Sequence, residues 1–213
     1  YLASGNCRMG LVPDRDAMAV AFIHSGGVHQ MIGYVVSTWY GAAGWGTRDY
    51  FMVACLPLAD AFHANSQWMV WQLESRFPKT ARVNYDTYDI ESNPNLPNDL
   101  AKKHGLGDKD EVGLLWDRDT LAFYGDPAWS AQLAVLAPPW TTTLIEKDGL
   151  FTFEAVSTID GDWPRPPFAF LPRRVKGLKI VEGSGVAADD FVMLATPGKM
   201  TKGQRVRAVF SAK

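Results

Sequence analysis

The double proline Pro138-Pro139 divides this chain into two parts with different hydrophobic periods, and that break constrains the fold more than any other feature. Beyond it, six short runs alternate with Gly, Pro and Asp turns: Thr141 to Glu146, Leu150 to Ser157, Phe168 to Leu171, Leu178 to Val181, Phe191 to Ala195 and Arg205 to Phe210. Roughly six strands in about 75 residues predict a small, sandwich-like all-β domain. The expected domains are therefore 1–137 and 138–213.

The first part mixes periods. Tyr1-Leu2-Ala3 reads as the tail of a buried strand that runs into Ser4-Gly5-Asn6-Cys7. Asp14 and Asp16 precede the apolar run Ala17 to Ile23, so a helix is expected to begin near Asp16 and to end at Gly26-Gly27. Val28 to Val36 is short and apolar on both faces, as in a central strand covered on both sides. Strand, helix and strand in that order predict an α/β domain with an open, mostly parallel sheet flanked by helices.

A Gly- and Trp-rich loop is expected from Ser37 to Gly46. Leu58, Phe62, Met69, Leu73 and Phe77 then recur at helical spacing until Pro78. Residues 79–110 carry turn and charged residues and predict a surface excursion with one short helix. Leu121 to Tyr124 returns to strand character before Gly125-Asp126-Pro127.

Composition excludes several classes. Lys+Arg 21 against Asp+Glu 23 gives a formal net charge of -2, the wrong balance for a general nucleic-acid binder. No apolar run reaches the ~18 to 20 residues of a membrane span. Two cysteines are too few for a disulfide scaffold or a cysteine zinc site. No glycine-rich phosphate loop is present. The chain starts at Tyr1 on what reads as a strand end, without a basic and apolar leader, and is expected to be the C-terminal portion of something longer.

Two places are candidates for chemistry. Cys7 follows the C-terminal end of an expected parallel strand, where open α/β sheets place their ligand crevice, and small residues before it allow close approach. Its own N–H is available to a developing oxyanion. The competing reading is a free cysteine packed under the next helix, which is also the reading for Cys55. Ser37-Thr38-Trp39-Tyr40 opens the second candidate, an aromatic loop on the same sheet edge. Such a loop either walls a binding cleft or pins itself to the core. His24, His29, His63 and His104 have no spacing that demands catalysis. Asp14, Asp16, Asp117 and Asp119 read as helix caps.

In order along the chain, YLASGNC, DAMAVAFIHSGG, GYVVSTWYGAAGWG and AFYGDPAW resemble the C-terminal part of the catalytic domain of gingipain-like cysteine peptidases, in the caspase-like clan. The resemblance covers residues 1 to about 137, and that family often carries an immunoglobulin-like sandwich next. It implies peptide hydrolysis through a thioester on Cys7. Ser37, Thr38 and Trp39 match the loop lining the primary specificity pocket, with Tyr40 beside them. Gly125, Asp126 and Pro127 match a structural motif.

The family's catalytic His lies upstream of the cysteine, so it is expected before Tyr1, and this chain alone is expected to be inactive. The partner implied is a polypeptide substrate, in an extracellular or cell-envelope setting. No cofactor is expected; calcium sites occur in the family, but no Asp/Asn spacing here identifies one. The alternative is a non-catalytic caspase-like scaffold that binds a partner through the Trp-rich loop and the β-domain.

Overall fold

The computed structural model describes residues 7–38, 40–83, 96–130, 137–196 and 198–212. The chain divides into two compact units, Tyr1–Met52 with Leu56–Leu133, and Ala134–Lys213 with Val53–Cys55.

The first unit mixes helices and strands. Helix α1 (Met18–His24) is capped by Ala17 without a side-chain hydrogen bond. The Asp16 side chain is therefore not the cap that the sequence suggests. Asp14 instead accepts the Asp16 N–H at 2.9 Å, which turns the chain one step earlier. Strand β1 (Gln30–Tyr34) is buried at every residue, as expected of a strand covered on both sides. The helix α2 (Ala42–Met52) begins inside the segment that reads as a loop. It is followed by the long α3 (Leu58–Arg76), whose buried stripe includes Leu58, Ala61, Met69 and Leu73. Phe77 N–H closes on Leu73 O and Pro78 prevents continuation.

A 3-10 turn (Thr80–Arg82) leads towards α4 (Leu96–His104) and α5 (Lys109–Arg118). The expectation of a surface excursion misses α5: Val112, Leu114, Leu115 and Trp116 are buried. Leu114 and Leu115 join Tyr34, Ala43, Met69 and Leu73 in one core cluster. Strand β2 (Leu121–Gly125) pairs with β1 in antiparallel register, from Gln30↔Gly125 to Tyr34↔Leu121.

The open, mostly parallel sheet is thus not what the described residues display. Among them every strand pairing is antiparallel. The partner of β1 comes from ninety residues away, and sequence periodicity carries no information about pairing direction. The strand expected at Tyr1 to Ala3 lies outside the described residues.

The second unit is all β: β3 (Trp140–Lys147), β4 (Leu150–Ser157), β5 (Gly161–Asp162), β6 (Phe168–Phe170), β7 (Lys179–Glu182), β8 (Gly185–Ala188), β9 (Phe191–Leu194), β10 (Lys199–Met200) and β11 (Arg205–Ser211). Strands order as β3-β4-β11-β7 in one sheet, β6-β9-β8 in a second, and β10-β5 as a pair. Burial alternates along β4, with Phe151, Phe153 and Ala155 inside, and Ala208 and Phe210 of β11 are buried too. Asp148 and Gly149 both take positive φ (53° and 76°), the pair that a two-residue type I′ hairpin turn requires between β3 and β4.

Candidate functional site

Cys7 is exposed, and the residues after it are fixed against β1. Arg8 N–H donates to Val36 O at 3.0 Å and Gly10 N–H to Tyr34 O at 2.8 Å. The segment runs so close to the strand that side chains have no room. A Cβ on Gly10 would lie 2.2 Å from Gly33 O, and one on Gly33 would lie 2.7 Å from Gly10 N. Tyr124 on β2 adds a hydrogen bond from its hydroxyl to Gly10 O. Two glycines of opposite backbones therefore set where the thiol can sit.

Folding brings the two sequence candidates together. Thr38 N–H donates to Cys7 Sγ at 3.2 Å, across 31 residues of chain. Ser37 is exposed, and its carbonyl accepts the Trp116 indole N–H at 3.3 Å. Trp39, also expected to line a pocket, lies outside the described residues.

Tyr40 turns towards α5. Its hydroxyl donates to Asp110 Oδ1 at 2.7 Å, and its ring occupies the space over Gly113, where a Cβ would come within 2.2 Å of it. Burial and the Asp110 carboxylate push the Tyr40 hydroxyl up to about 12. The hydrogen bonds from Tyr40 and Arg76 hold Asp110 below the usual carboxylate range. Trp45, one turn into α2, is 50% exposed, with the Arg48 guanidinium 4.7 Å over its ring.

Below this loop lies a buried polar knot that the sequence did not single out as functional. Asp117 is fully buried, and its Oδ2 accepts the Ala43 N–H at 3.0 Å in the first turn of α2. Burial raises its carboxyl to about 6, while the amides of Ala43, Gly41 and Ala42 pull it down. Asp117 is thus a helix cap as expected, but for a helix 74 residues away. Tyr34 accepts the Gly44 N–H at 2.8 Å, and burial drives its hydroxyl strongly upward. Asn65 on α3 donates to Ala43 O at 2.9 Å, and a Cβ on Gly46 would collide with its Oδ1 at 1.8 Å.

The Gly-Asp-Pro motif has a structural explanation. Gly125 has φ of 114°, and a Cβ there would lie 2.2 Å from His29 O. Asp126 Oδ1 accepts the Ala128 N–H at 2.9 Å, an Asx turn. Gln30 then seizes the carbonyls of Asp126 and Trp129 at 2.7 and 2.8 Å, and His29 stacks on Trp129 at 4.2 Å. The histidines are spread out: His24, His29 and His104 are exposed on α1, β1's entry and α4, and His63 sits beside Asp60 on α3.

Among the described residues, no group of three or more His, Cys, Asp and Glu could hold a metal ion. Among them, too, no helix is long and apolar enough to cross a membrane. No protein-family model, curated protein or solved structure matches the chain.

Proposed function

We propose that this chain is the C-terminal part of a gingipain-like, caspase-like cysteine peptidase domain followed by an immunoglobulin-like β-domain. Cys7 is the nucleophile of that reading. The thiolate attacks the scissile carbonyl carbon, the amine leaves with a proton, and water hydrolyses the resulting thioester. Ser37 and Thr38 belong to the wall of the cleft that receives the residue before the cut bond. The base comes from a histidine upstream of Tyr1, because a thiol needs a partner that accepts its proton and later returns it to the leaving amine. The setting is extracellular or cell-envelope, and the substrate a polypeptide.

The observation that carries this reading is the hydrogen bond from Thr38 N–H to Cys7 Sγ. It joins the two segments that the family resemblance assigns to nucleophile and pocket, 31 residues apart in the chain. The second reading, a non-catalytic module, is favoured by the half-exposed Trp45 with its stacked Arg48.

The experiment is labelling of the full-length protein with a peptidyl electrophile, beside Cys7→Ala. The peptidase reading expects a covalent adduct in the parent and none in the variant. Equal labelling of the two refutes it and leaves the binding module.

A further inference from the structure

The β unit ends its sheets in strands of different kinds. β7 closes one side of the four-stranded sheet after only four residues, with Lys179 and Glu182 at its ends and a register shift opposite it between Val209 and Phe210. β6 and β8, the edges of the second sheet, have three and four residues. Short length, charge and bulges are devices that keep an edge from pairing with another chain. β3, the other edge of the four-stranded sheet, lacks them along most of its length. It runs for eight residues without Gly or Pro, and its only charges, Glu146 and Lys147, sit at one end. All of it but Trp140 and Leu144 is exposed, Ile145 to 60%.

The register decides which of its backbone groups are free. Thr158 N–H donates to Pro139 O at 3.0 Å, and Gly149 O accepts the Ala212 N–H at 3.1 Å. Even-numbered residues of β4 therefore turn their N–H and C=O towards β3, and odd-numbered ones towards β11. Each even residue of β4 faces an odd one of β3, so Thr141, Thr143, Ile145 and Lys147 bond to β4. Thr142, Leu144 and Glu146 aim their N–H and C=O away from the sheet, and no backbone partner meets them among the described residues.

We propose that β3 pairs antiparallel with β3 of a second copy of this chain, across a two-fold axis at Leu144, joining two four-stranded sheets into one. The edge is complementary to itself. With the axis at Leu144 the pairs are Leu144–Leu144, Thr143–Ile145, Thr142–Glu146 and Thr141–Lys147. The charged end of each copy lies against uncharged threonines of the other, so no like charges meet. The Thr142 hydroxyl gains the Glu146 carboxylate as an acceptor, beside the Arg173 that already holds it.

Other registers are worse. An axis at Ile145 sets Glu146 against Leu144, and one at Thr143 sets Glu146 against the buried Trp140. A half-step places outward groups against inward ones and makes no ladder. The two-fold contact closes at two copies. A single ladder is small beside the ~1,200 Å² of a stable complex, so the dimer is weak, half formed at roughly 100 µM. The inference concerns the β unit and does not depend on the reading of Cys7.

Sedimentation equilibrium of the full-length protein, over a roughly hundredfold range of concentration about that value, should show monomer passing to dimer. Amide hydrogen exchange locates the contact. Thr142, Leu144 and Glu146 should gain protection as concentration rises, while Thr143 and Ile145, bonded to β4, stay protected throughout. Leu144→Pro removes an outward N–H but no bond to β4, and should abolish the dimer. Thr141 is exposed, so its variants keep the fold and test the register. Thr141→Glu faces Lys147 of the other copy and should tighten the dimer about 2- to 30-fold, and Thr141→Lys should weaken it by a similar factor.

A protein that stays monomeric over the whole range overturns the proposal. So does a dimer whose affinity both Thr141 variants change alike. A dimer that leaves Thr142, Leu144 and Glu146 unprotected has its contact on another face, and overturns it too. Protection of these three amides in the monomer, at the lowest concentration, means that another part of the same molecule covers the edge, which refutes self-pairing. Should Leu144→Pro fail to fold, the Thr141 variants and the exchange pattern decide.

Discussion

Replacing Gly113 by Ala sets two opposed effects against each other. In the interior of an exposed helix the exchange stabilises by about 1 kcal/mol, because Gly loses more backbone entropy on folding. In α5 the added Cβ would meet Cγ, Cδ2 and Cδ1 of Tyr40 at 2.2, 2.4 and 2.7 Å. Ordinary carbon contact is roughly 3.5 to 4.0 Å, so the ring must retreat by about 1.5 Å. It is not free to do so, since its hydroxyl is tied to Asp110 and the next residue, Gly41, has φ of 95°.

Overpacking of this kind costs about 1 to 3 kcal/mol, and the Tyr40–Asp110 hydrogen bond adds about 1 when it is lost. Net, G113A should destabilise the α5 region by about 1 to 3 kcal/mol. Because the chain has two units, global melts mix events, and the opening free energy of α5 amides from hydrogen exchange is the better measure. With Tyr40→Ala already present the obstruction is gone, and G113A should then stabilise by about 1 kcal/mol. A G113A that stabilises equally in both backgrounds would falsify the account of Tyr40 as the occupant of that space.

Three further outcomes follow from the same structure. Asp117 has a folded value of about 6 against an ordinary 3.8, so its stabilising contribution is present below 3.8 and lost as pH rises through 6. Urea titrations should show the parent losing up to about 3 kcal/mol relative to D117N between pH 4 and 7, and parallel curves would remove the buried-carboxyl argument. Gly33→Ala puts a Cβ 2.7 Å from Gly10 N, backbone against backbone, and should cost about 1 to 3 kcal/mol and change the alkylation rate of Cys7, with an unchanged rate counting against the glycine contact as its determinant. Phe210→Ala should cost the β unit about 3 to 5 kcal/mol by amide exchange, whereas Ile145→Ala, 60% exposed, should stay within about 0.5.

The β unit was largely legible because its code is local. Leu150 to Ser157 alternates with a period of two, Asp148-Gly149 supplies the hairpin, and β4 forms over those same residues. β1 was legible from its continuous apolar run. Helix α5 was missed because its first residues, Lys109-Asp110-Glu111, read as solvated surface. The signal was there: Asp108 is an N-cap whose side chain accepts the Asp110 N–H, with Glu111 three positions on. Helix α2 hid in a stretch of Gly and Trp that reads as a loop. Its first turn is held by Asp117, Tyr34 and Asn65, which come from three other elements.

The division follows the range of the forces. Sequence alone decided which segments alternate, where proline and glycine interrupt them, and which thiol and which loop are worth attention, because turn geometry and amphipathic period act over a few residues. Only the tertiary structure decided that β1 pairs antiparallel with β2, that Thr38 N–H meets Cys7, and that Tyr40 turns inward over Gly113. It also buried Asp117 against the first turn of α2 rather than leaving it a solvated carboxylate. Burial and close approach join residues that the chain keeps 30 to 90 positions apart, and no local pattern encodes such a meeting.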